Sequence, residues 1–302
     1  MNVSGAKLAI TFALLCVVAW SLIPVVAKIG QHSLDVFQFL FWSNVLSSVV
    51  VLAFVWLKNR KIIVSGSKRQ FLWCAPLGFL GCFFYYLCLY YGYASTNGVE
   101  VLVVQYTWPI LITVISLLFF SERLGVIGVV GLILGFLSVV IVVTKGDLTA
   151  IKVSSPWVLL VVFTGALGFA LFSVLSKYQS IDSYTGTFFL FFWGAVFSLL
   201  TLFQWSQFSF PAAEAWLVIL LNGAIINGLS YILWLTALAK ADAAKIAPIV
   251  FLTPILSTTW LVLFFQEPLL VSYVIAIVFS ITSGFLVMRS MARKEIEVMI
   301  EH

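Results

Sequence analysis

Long apolar runs separated by short polar segments alternate along the whole chain. A helix needs about 20 apolar residues to cross the hydrocarbon core of a bilayer, which is about 30 Å thick. Because lipid cannot pair with backbone polar groups, runs of this length predict helices and not strands. The pattern predicts ten membrane-spanning helices, at Leu8–Ile29, Val36–Leu57, Phe71–Tyr91, Val99–Phe120, Leu124–Val143, Trp157–Tyr178, Tyr184–Phe203, Trp216–Ala239, Ile246–Phe265 and Leu269–Met288.

The amino-acid composition supports a membrane location for these runs. Of the 302 residues, 63% are hydrophobic and only 9% are charged, whereas a water-soluble domain has about 25% charged residues. The 16 lysines and arginines outnumber the 11 acidic residues, but they lie at the ends of apolar runs and form no phosphate-binding face. We therefore predict an all-α integral membrane protein that contacts the lipid bilayer and has no nucleic-acid partner.

The positions of the lysines and arginines predict the orientation of the chain. If the N-terminus is cytoplasmic, 13 of these residues fall in cytoplasmic segments, and only Lys28, Lys145 and Lys152 lie on the other side. Cytoplasmic loops of membrane proteins are enriched in Lys and Arg. We therefore expect a multi-pass protein with both termini in the cytoplasm.

Two pairs of segments show that the chain repeats itself. The segment from Pro109 to Leu124 matches the segment from Pro254 to Leu269 at nine of 16 positions without gaps. The stretch from Trp20 to Lys28 aligns with the stretch from Phe169 to Lys177 at nearly the same offset. We therefore predict two structural repeats, each with five spans.

The predicted repeats divide the chain at residues 1–150 and 151–302, and the second includes a short cytoplasmic tail. Five is an odd number, so the second repeat enters the membrane inverted relative to the first. Inverted repeats are a common architecture of secondary transporters, which bind substrate near the midplane between the repeats.

Three segments carry a resemblance to a known family. Ala19-Trp20-Ser21 through Lys28, the segment from Pro109 to Arg123 and its copy from Pro254 to Glu267 resemble the EamA family of the drug/metabolite transporter superfamily, over nearly the whole chain. The resemblance implies an exporter of amino acids or similar metabolites in the cell inner membrane. It also implies a central cavity between helices 1, 3, 4, 6, 8 and 9, with helices 5 and 10 at the periphery.

A narrower resemblance rests on the third and fourth spans. Residues 92–96, Glu100-Val101 and residues 106–109 are similar to YddG-type exporters of aromatic amino acids. The second half departs from this pattern, because Thr253 stands at the position that corresponds to Trp108.

Polar and aromatic side chains inside the spans are candidates for a substrate-binding surface, because buried polar groups are costly in a membrane. Gln105 and Trp108 share one face of the fourth span, where the amide could bind an amino or carboxylate group and the indole could stack on an apolar side chain. Alternatively, Gln105 bonds a neighbouring helix and Trp108 faces lipid or core. Helical spacing adds further candidates, which are Trp20, Lys28, Tyr86, Tyr90, Tyr93, Asn227, Tyr231 and Trp234.

Each of these further candidates has a structural alternative. The tyrosines could belong to the belt at the membrane interface, and Asn227 could clamp a neighbouring helix. Lys28 could attract a substrate carboxylate at the outer mouth or extend its amine to the headgroups.

Three prolines and one acid are candidates for the transport mechanism. Pro24, Pro109 and Pro254 lie within spans, where proline bends a helix and frees a carbonyl, so we expect hinges or static kinks there. Glu100, at the outer end of the fourth span, is a candidate for proton coupling. The alternative is a solvated acid at a helix start, which the helix dipole favours.

Small residues recur on one face of two spans. They are Gly131 and Gly135 in the fifth span and Ser272, Ala276, Ser280 and Gly284 in the tenth. Such faces let helices approach closely, either within one chain or in a homodimer.

Other function classes lack the residues they need. An enzyme needs clustered acids, histidines or an activated nucleophile, but His32 and His302 are isolated and the aspartates are scattered over loops. The four cysteines show no metal-ligand spacing, and we expect no metal or cofactor. A channel would show a repeated filter or rings of charge. We therefore predict a secondary transporter of a small molecule by alternating access, or alternatively a flippase or carrier of an amphiphilic, lipid-like or drug-like compound.

Overall fold

The protein is described from a computed structural model, which covers residues 3–23, 26, 34–59, 67–96, 98–120, 124–150, 154–177, 181–265 and 270–300. All regular secondary structure in these ranges is helical. We number the helices α1 to α10 in chain order. The uninterrupted ones are α1 Val3–Trp20, α2 Val36–Asn59, α5 Val126–Val143, α6 Pro156–Ser176, α7 Ser183–Trp205 and α10 Val271–Ile300.

Four helices consist of consecutive segments, divided either by a change of helical type or by a turn. α3 combines Lys68–Gly78, a π-helical segment Phe79–Phe84 and Tyr85–Ser95, and α4 combines Gly98–Gln105 and Trp108–Phe119. α8 combines Ala215–Leu220, a π-helical segment Leu221–Leu229 and Ser230–Lys240. α9 combines Ala243–Ile246, a 3-10 segment Ala247–Leu252 and Thr253–Phe265.

Seven of these helices, α2 to α8, are long and apolar enough to cross a membrane. The apolar parts of α1, α9 and α10 are shorter, at Gly5–Trp20, Ala243–Ser257 and Val271–Val287. Large apolar side chains at the outside of the bundle are exposed, such as Phe119 at 74% and Val271 at 77%. The fold is therefore that of a multi-pass membrane protein, while ten complete crossings stay a prediction.

The segment boundaries recur at a fixed spacing along the chain. In each of four pairs, the two residues begin corresponding helical segments and are 145 residues apart: Tyr85 and Ser230, Gly98 and Ala243, Trp108 and Thr253, Val126 and Val271. In the first pair, a π-helical segment ends immediately before each of the two residues. The irregularities of the backbone thus follow the same spacing as the sequence repeat.

The predicted small-residue face of α5 packs against α10 within one chain, at Ser283 and Val287, whereas a Cβ added at Gly284 of α10 would have nothing within 4 Å. A Cβ added at Gly131 would lie 3.0 Å from the backbone oxygen of Ser283 and 2.9 Å from Val287, and one added at Gly135 would lie 2.7 Å from the Ser283 hydroxyl. Only glycine allows this approach of the two backbones. These glycines therefore pack inside the monomer, and a homodimer stays a prediction.

The centre of the bundle is a core of buried aromatic and aliphatic side chains. α1, α3, α4, α6, α8 and α9 all contribute to it, through residues such as Trp20, Tyr86, Trp108, Phe169 and Tyr231. Burial of such side chains excludes both water and lipid from the middle of the protein.

Candidate functional site

Trp20, at the end of α1, lies in the middle of an aromatic cluster. Its ring centroid is 5.4 Å from that of Trp234, 6.0 Å from those of Trp108 and Phe169, and 6.3 Å from that of Tyr231. Three of the four contacts are edge-to-face, the arrangement that aromatic pairs prefer. The cluster joins helices from both halves of the sequence.

A cavity lies beside this cluster. Its lining residues are Trp20, Ile23, Tyr85, Tyr86, Gln105, Tyr106, Trp108, Phe169, Val250 and Thr253. The cavity volume is only about 20 Å³. That is room for about one water. A metabolite could therefore bind there only if the lining side chains moved apart.

Four predicted binding residues line this cavity: Trp20, Tyr86, Gln105 and Trp108. Tyr231 and Trp234 lie behind Trp20 and are completely buried. Hydrogen bonds fix both, because the Tyr231 hydroxyl donates to the Gly81 carbonyl at 2.8 Å and the Trp234 indole donates to Ser173 Oγ at 3.1 Å. They support the lining and do not form its surface.

Gln105 combines the two roles that its sequence position left open. Its amide lines the cavity, and Nε2 donates to the Tyr85 hydroxyl at 2.8 Å. The side chain thus links α4 to α3 at the cavity wall, where both groups are buried.

Tyr90 and Asn227 lie outside the cavity. The Tyr90 ring packs on Tyr86 and Phe39, with centroid distances of 6.0 Å. Asn227 is 2% exposed, and its Oδ1 makes no hydrogen bond with any described residue. Lys28, Pro24 and the side chain of Tyr93 lie outside the described residues.

Sequence reasoning missed several lining residues, of which Tyr85, Phe169 and Thr253 matter most. The repeat contained a signal for two of them. Phe169 aligns with Trp20, and Thr253 aligns with Trp108. Residues at equivalent places in the two halves therefore line one cavity.

Both predicted hinges in the described ranges coincide with breaks beside the cavity. In α4, a turn at Tyr106 and Thr107 precedes Trp108 and Pro109, and in α9 the 3-10 segment Ala247–Leu252 ends just before Pro254. Proline has no N–H to continue the α-helical pattern. The local sequence therefore accounts for both helix breaks, and both breaks lie beside the cavity.

Two buried charged residues begin α4 and α9. Glu100 is 2% exposed and accepts hydrogen bonds from Ser154 N at 3.1 Å and Ser154 Oγ at 2.5 Å. It is therefore a helix-start acid that is bound by protein and not solvated. Lys245 is 6% exposed, and its Nζ lies 2.8 Å from Asp242 Oδ2.

These two charged residues are also 145 residues apart. Ser154 precedes α6, and Lys177 follows it with its Nζ 3.8 Å from Asp242 Oδ1. Ser154, just before α6, thus contacts the start of α4, and Lys177, just after α6, contacts the residue before α9.

Comparison with known proteins decides the family. A model described as "EamA-like transporter family" matches residues 7–144 and again residues 156–289. The chain belongs to the EamA-like transporter family. It is 25% identical over 246 residues to "Uncharacterized transporter YoaV" of Bacillus subtilis (strain 168), covering 79% of this chain and 82% of that one. It is 28% identical over 211 residues to "Uncharacterized transporter YvbV" of the same strain, covering 67% and 68%.

The chain is also similar to an archaeal protein and, in its fold, to a solved structure. An "Uncharacterized transporter" of Archaeoglobus fulgidus is 24% identical over 246 residues, covering 80% of this chain and 83% of that one. The fold matches a protein crystal structure with a TM-score of 0.81 at 19% identity, over 95% of this chain and 98% of that one. This EamA protein is therefore a multi-pass membrane transporter and not an enzyme, whereas its closeness to YddG-type exporters stays a prediction.

Proposed function

We propose that this EamA transporter exports small amphipathic metabolites, above all amino acids with apolar or aromatic side chains, by alternating access. One observation carries the proposal: a small, aromatic-lined cavity lies between equivalent residues of the two halves. Carriers built from repeats bind their substrate at such a place.

The lining favours a substrate without net charge. Its described residues include six large aromatic side chains and the neutral polar groups of Gln105 and Thr253, but no acidic or basic side chain. Burial of a net charge without a partner is costly. A zwitterion with an apolar or aromatic side chain brings its own charge balance and fits the rings.

The repeated backbone breaks support an alternating-access mechanism. The two matches to the family, at residues 7–144 and 156–289, support a division into repeats near residues 150 and 151. In this proposal the repeats are inverted, so the contact of Glu100 with Ser154 closes the outer side and the contact of Lys177 with Asp242 closes the cytoplasmic side. Both contacts are formed here, and transport would break them in turn.

The distribution of Lys and Arg supports the location that we propose, the cell inner membrane with both termini in the cytoplasm. In this orientation α1 begins inside, and export moves the substrate from the cytoplasmic to the outer opening.

Uptake into proteoliposomes tests the proposal. The panel contains labelled aromatic, aliphatic and basic amino acids, a nucleoside and a quaternary amine, each with and without an imposed pH gradient. We expect uptake of aromatic and aliphatic amino acids and little uptake of basic ones. If no amino acid moves while the protein is folded, the amino-acid proposal is wrong, and lipid-like compounds become the next substrates to test.

A further inference from the structure

Thr253 is a buried hydroxyl residue without a partner at the cavity wall. The side chain is 2% exposed and lines the cavity. Its Oγ1 makes no hydrogen bond with any described residue. An unpaired buried hydroxyl lowers the stability of the folded protein, so its presence needs an explanation.

The backbone explains why this hydroxyl is unpaired. A helical threonine can satisfy its hydroxyl on the carbonyl four residues back, as Thr187 does on Ser183 and Thr236 does on Ile232, both at 2.6 Å. Thr253 instead follows a 3-10 segment, and its own N–H bonds to the carbonyl of Val250, three residues back. In a 3-10 segment the carbonyls serve residues three positions on, so the break in α9 leaves the hydroxyl available.

The internal repeat also makes this position unusual. Thr253 stands where the first half has Trp108, and both residues line the same cavity. A symmetric cavity would hold a second indole there. Thr253 is smaller than an indole and adds a hydroxyl to the lining that Trp108 and Trp20 share.

We propose that the Thr253 hydroxyl accepts a hydrogen bond from the ammonium group of the substrate and sets specificity for amines, an inference that rests on the proposed transport of amino acids. The described lining contains no basic side chain to balance a carboxylate at this wall. An ammonium group, in contrast, is attracted by the faces of Trp20, Trp108 and Phe169 through cation–π interactions. In addition to these rings, the Thr253 hydroxyl oxygen accepts a directional hydrogen bond from the ammonium group.

The test measures the kinetics of phenylalanine uptake by full-length protein in proteoliposomes, with two inhibitors that separate the charged groups. Phenethylamine keeps the ammonium group and lacks the carboxylate, whereas 3-phenylpropionate keeps only the carboxylate. Thr253→Val removes the hydroxyl at nearly constant volume, and Thr253→Ala is a second variant without it. Thr253→Ser keeps it. Thr187→Val is the matched control, because Thr187 is also buried but lies in α7, away from the cavity.

We expect Thr253→Val to raise the KM for phenylalanine about tenfold or more, the effect of losing a hydrogen bond to a charged group. The maximal rate should change little, because the bond contributes to binding. Inhibition by phenethylamine should weaken by the same factor and inhibition by 3-phenylpropionate should not. Thr253→Ser should restore most of the affinity. Without substrate, Thr253→Val should raise the melting temperature, since it removes an unpaired buried hydroxyl.

The remaining outcomes separate the two proposals. If Thr253→Val and Thr253→Ala both transport phenylalanine with the wild-type KM, the role of Thr253 is wrong and the transport of amino acids stands. If inhibition by 3-phenylpropionate weakens instead, the hydroxyl binds the carboxylate and the ammonium assignment is wrong. If the wild type takes up no amino acid, the proposed function fails and this inference fails with it.

Discussion

The indole of Trp20 and the phenyl ring of Phe169 meet edge to face, with centroids 6.0 Å apart and planes at 74°. They occupy aligned positions in α1 and α6, the first helix of each half. Phe169 also contacts Trp108, at a centroid distance of 4.9 Å. If the two halves rock against each other, these contacts must change. The aromatic cluster would then contain both the cavity wall and the contacts that rearrange between the halves.

Truncation of Trp108 tests the cavity assignment. Trp108 is 3% exposed and packs on Phe169 and Trp234. We expect Trp108→Ala to lower the rate of aromatic amino-acid uptake at least about tenfold, because an aromatic contact and its buried area are lost. Initial uptake rates in proteoliposomes measure the effect, and size-exclusion chromatography checks that the variant is folded.

Two variants control for the loss of volume at Trp108. Removal of a buried Trp can cost about 3–5 kcal/mol of stability, so Trp108→Phe, which keeps a ring, should retain more transport than Trp108→Ala. Trp157→Ala removes an indole that is 67% exposed on the outside of α6 and should transport normally. Normal transport by folded Trp108→Ala would place the site elsewhere.

A comparison of Gln105 with its partner Tyr85 separates binding from bracing. Tyr85→Phe removes the hydroxyl that accepts the 2.8 Å hydrogen bond and keeps the amide of Gln105 in place. If Gln105 binds substrate, Gln105→Ala should raise KM about tenfold, whereas Tyr85→Phe should raise it only about twofold. Equal effects of both variants on KM and on melting temperature would show that the amide only braces α3 against α4.

Hydropathy and the internal repeat together predicted much of this architecture. The apolar runs located the helices, and helical spacing placed Gln105 and Trp108 on one face, where both line the cavity. The sequence alignment paired Trp20 with Phe169, and these two residues are in contact at the centre of the structure. The contact itself could be recognised only from the three-dimensional arrangement. These predictions succeeded because they depend on helix period and on similarity between segments, which a sequence displays directly.

The sequence could not predict in the same way which side chains of α8 face the cavity. Asn227, Tyr231 and Trp234 share one face of a regular helix, but Asn227 lies in the π-helical segment Leu221–Leu229. A π-helical turn contains an extra residue, so the 3.6-residue period no longer gives the direction of side chains across it. Hydropathy carries no signal for this change in backbone hydrogen bonding.

The proline break in α9 is predicted to limit the rate of transport. Pro254→Ala supplies an N–H and allows the α-helix to extend into the 3-10 segment, which should stiffen the helix beside the cavity. We expect the maximal uptake rate to fall about three- to tenfold, with little change in KM and an unchanged or higher melting temperature. Pro76→Ala, at an exposed proline of α3, is the control. Wild-type rates in Pro254→Ala would identify the kink as static.

Glu100 is predicted to couple transport to the proton gradient. It is the only acidic side chain that is buried in the described part of the chain, and its two hydrogen bonds from Ser154 tie α4 to the start of α6. A proton-coupled carrier needs an acid that is shielded in one state and open to water in another, and the breaking of this contact would provide that change. A proton-driven exporter exchanges substrate for protons that move the opposite way, so we expect an outward-directed proton gradient to accelerate uptake by the wild type.

Two variants separate the charge of Glu100 from its role as a contact. Glu100→Gln keeps the size and one acceptor oxygen but cannot ionise, so the ratio of uptake with the gradient to uptake without it should fall to about one. Ser154→Ala removes the hydroxyl donor and keeps the carboxylate. It should lower the melting temperature slightly, by the loss of one hydrogen bond worth about 1–3 kcal/mol, and keep the response to the gradient. If Glu100→Gln still responds to the gradient, the carboxylate serves only to hold α4 and α6 together at this end of the cavity.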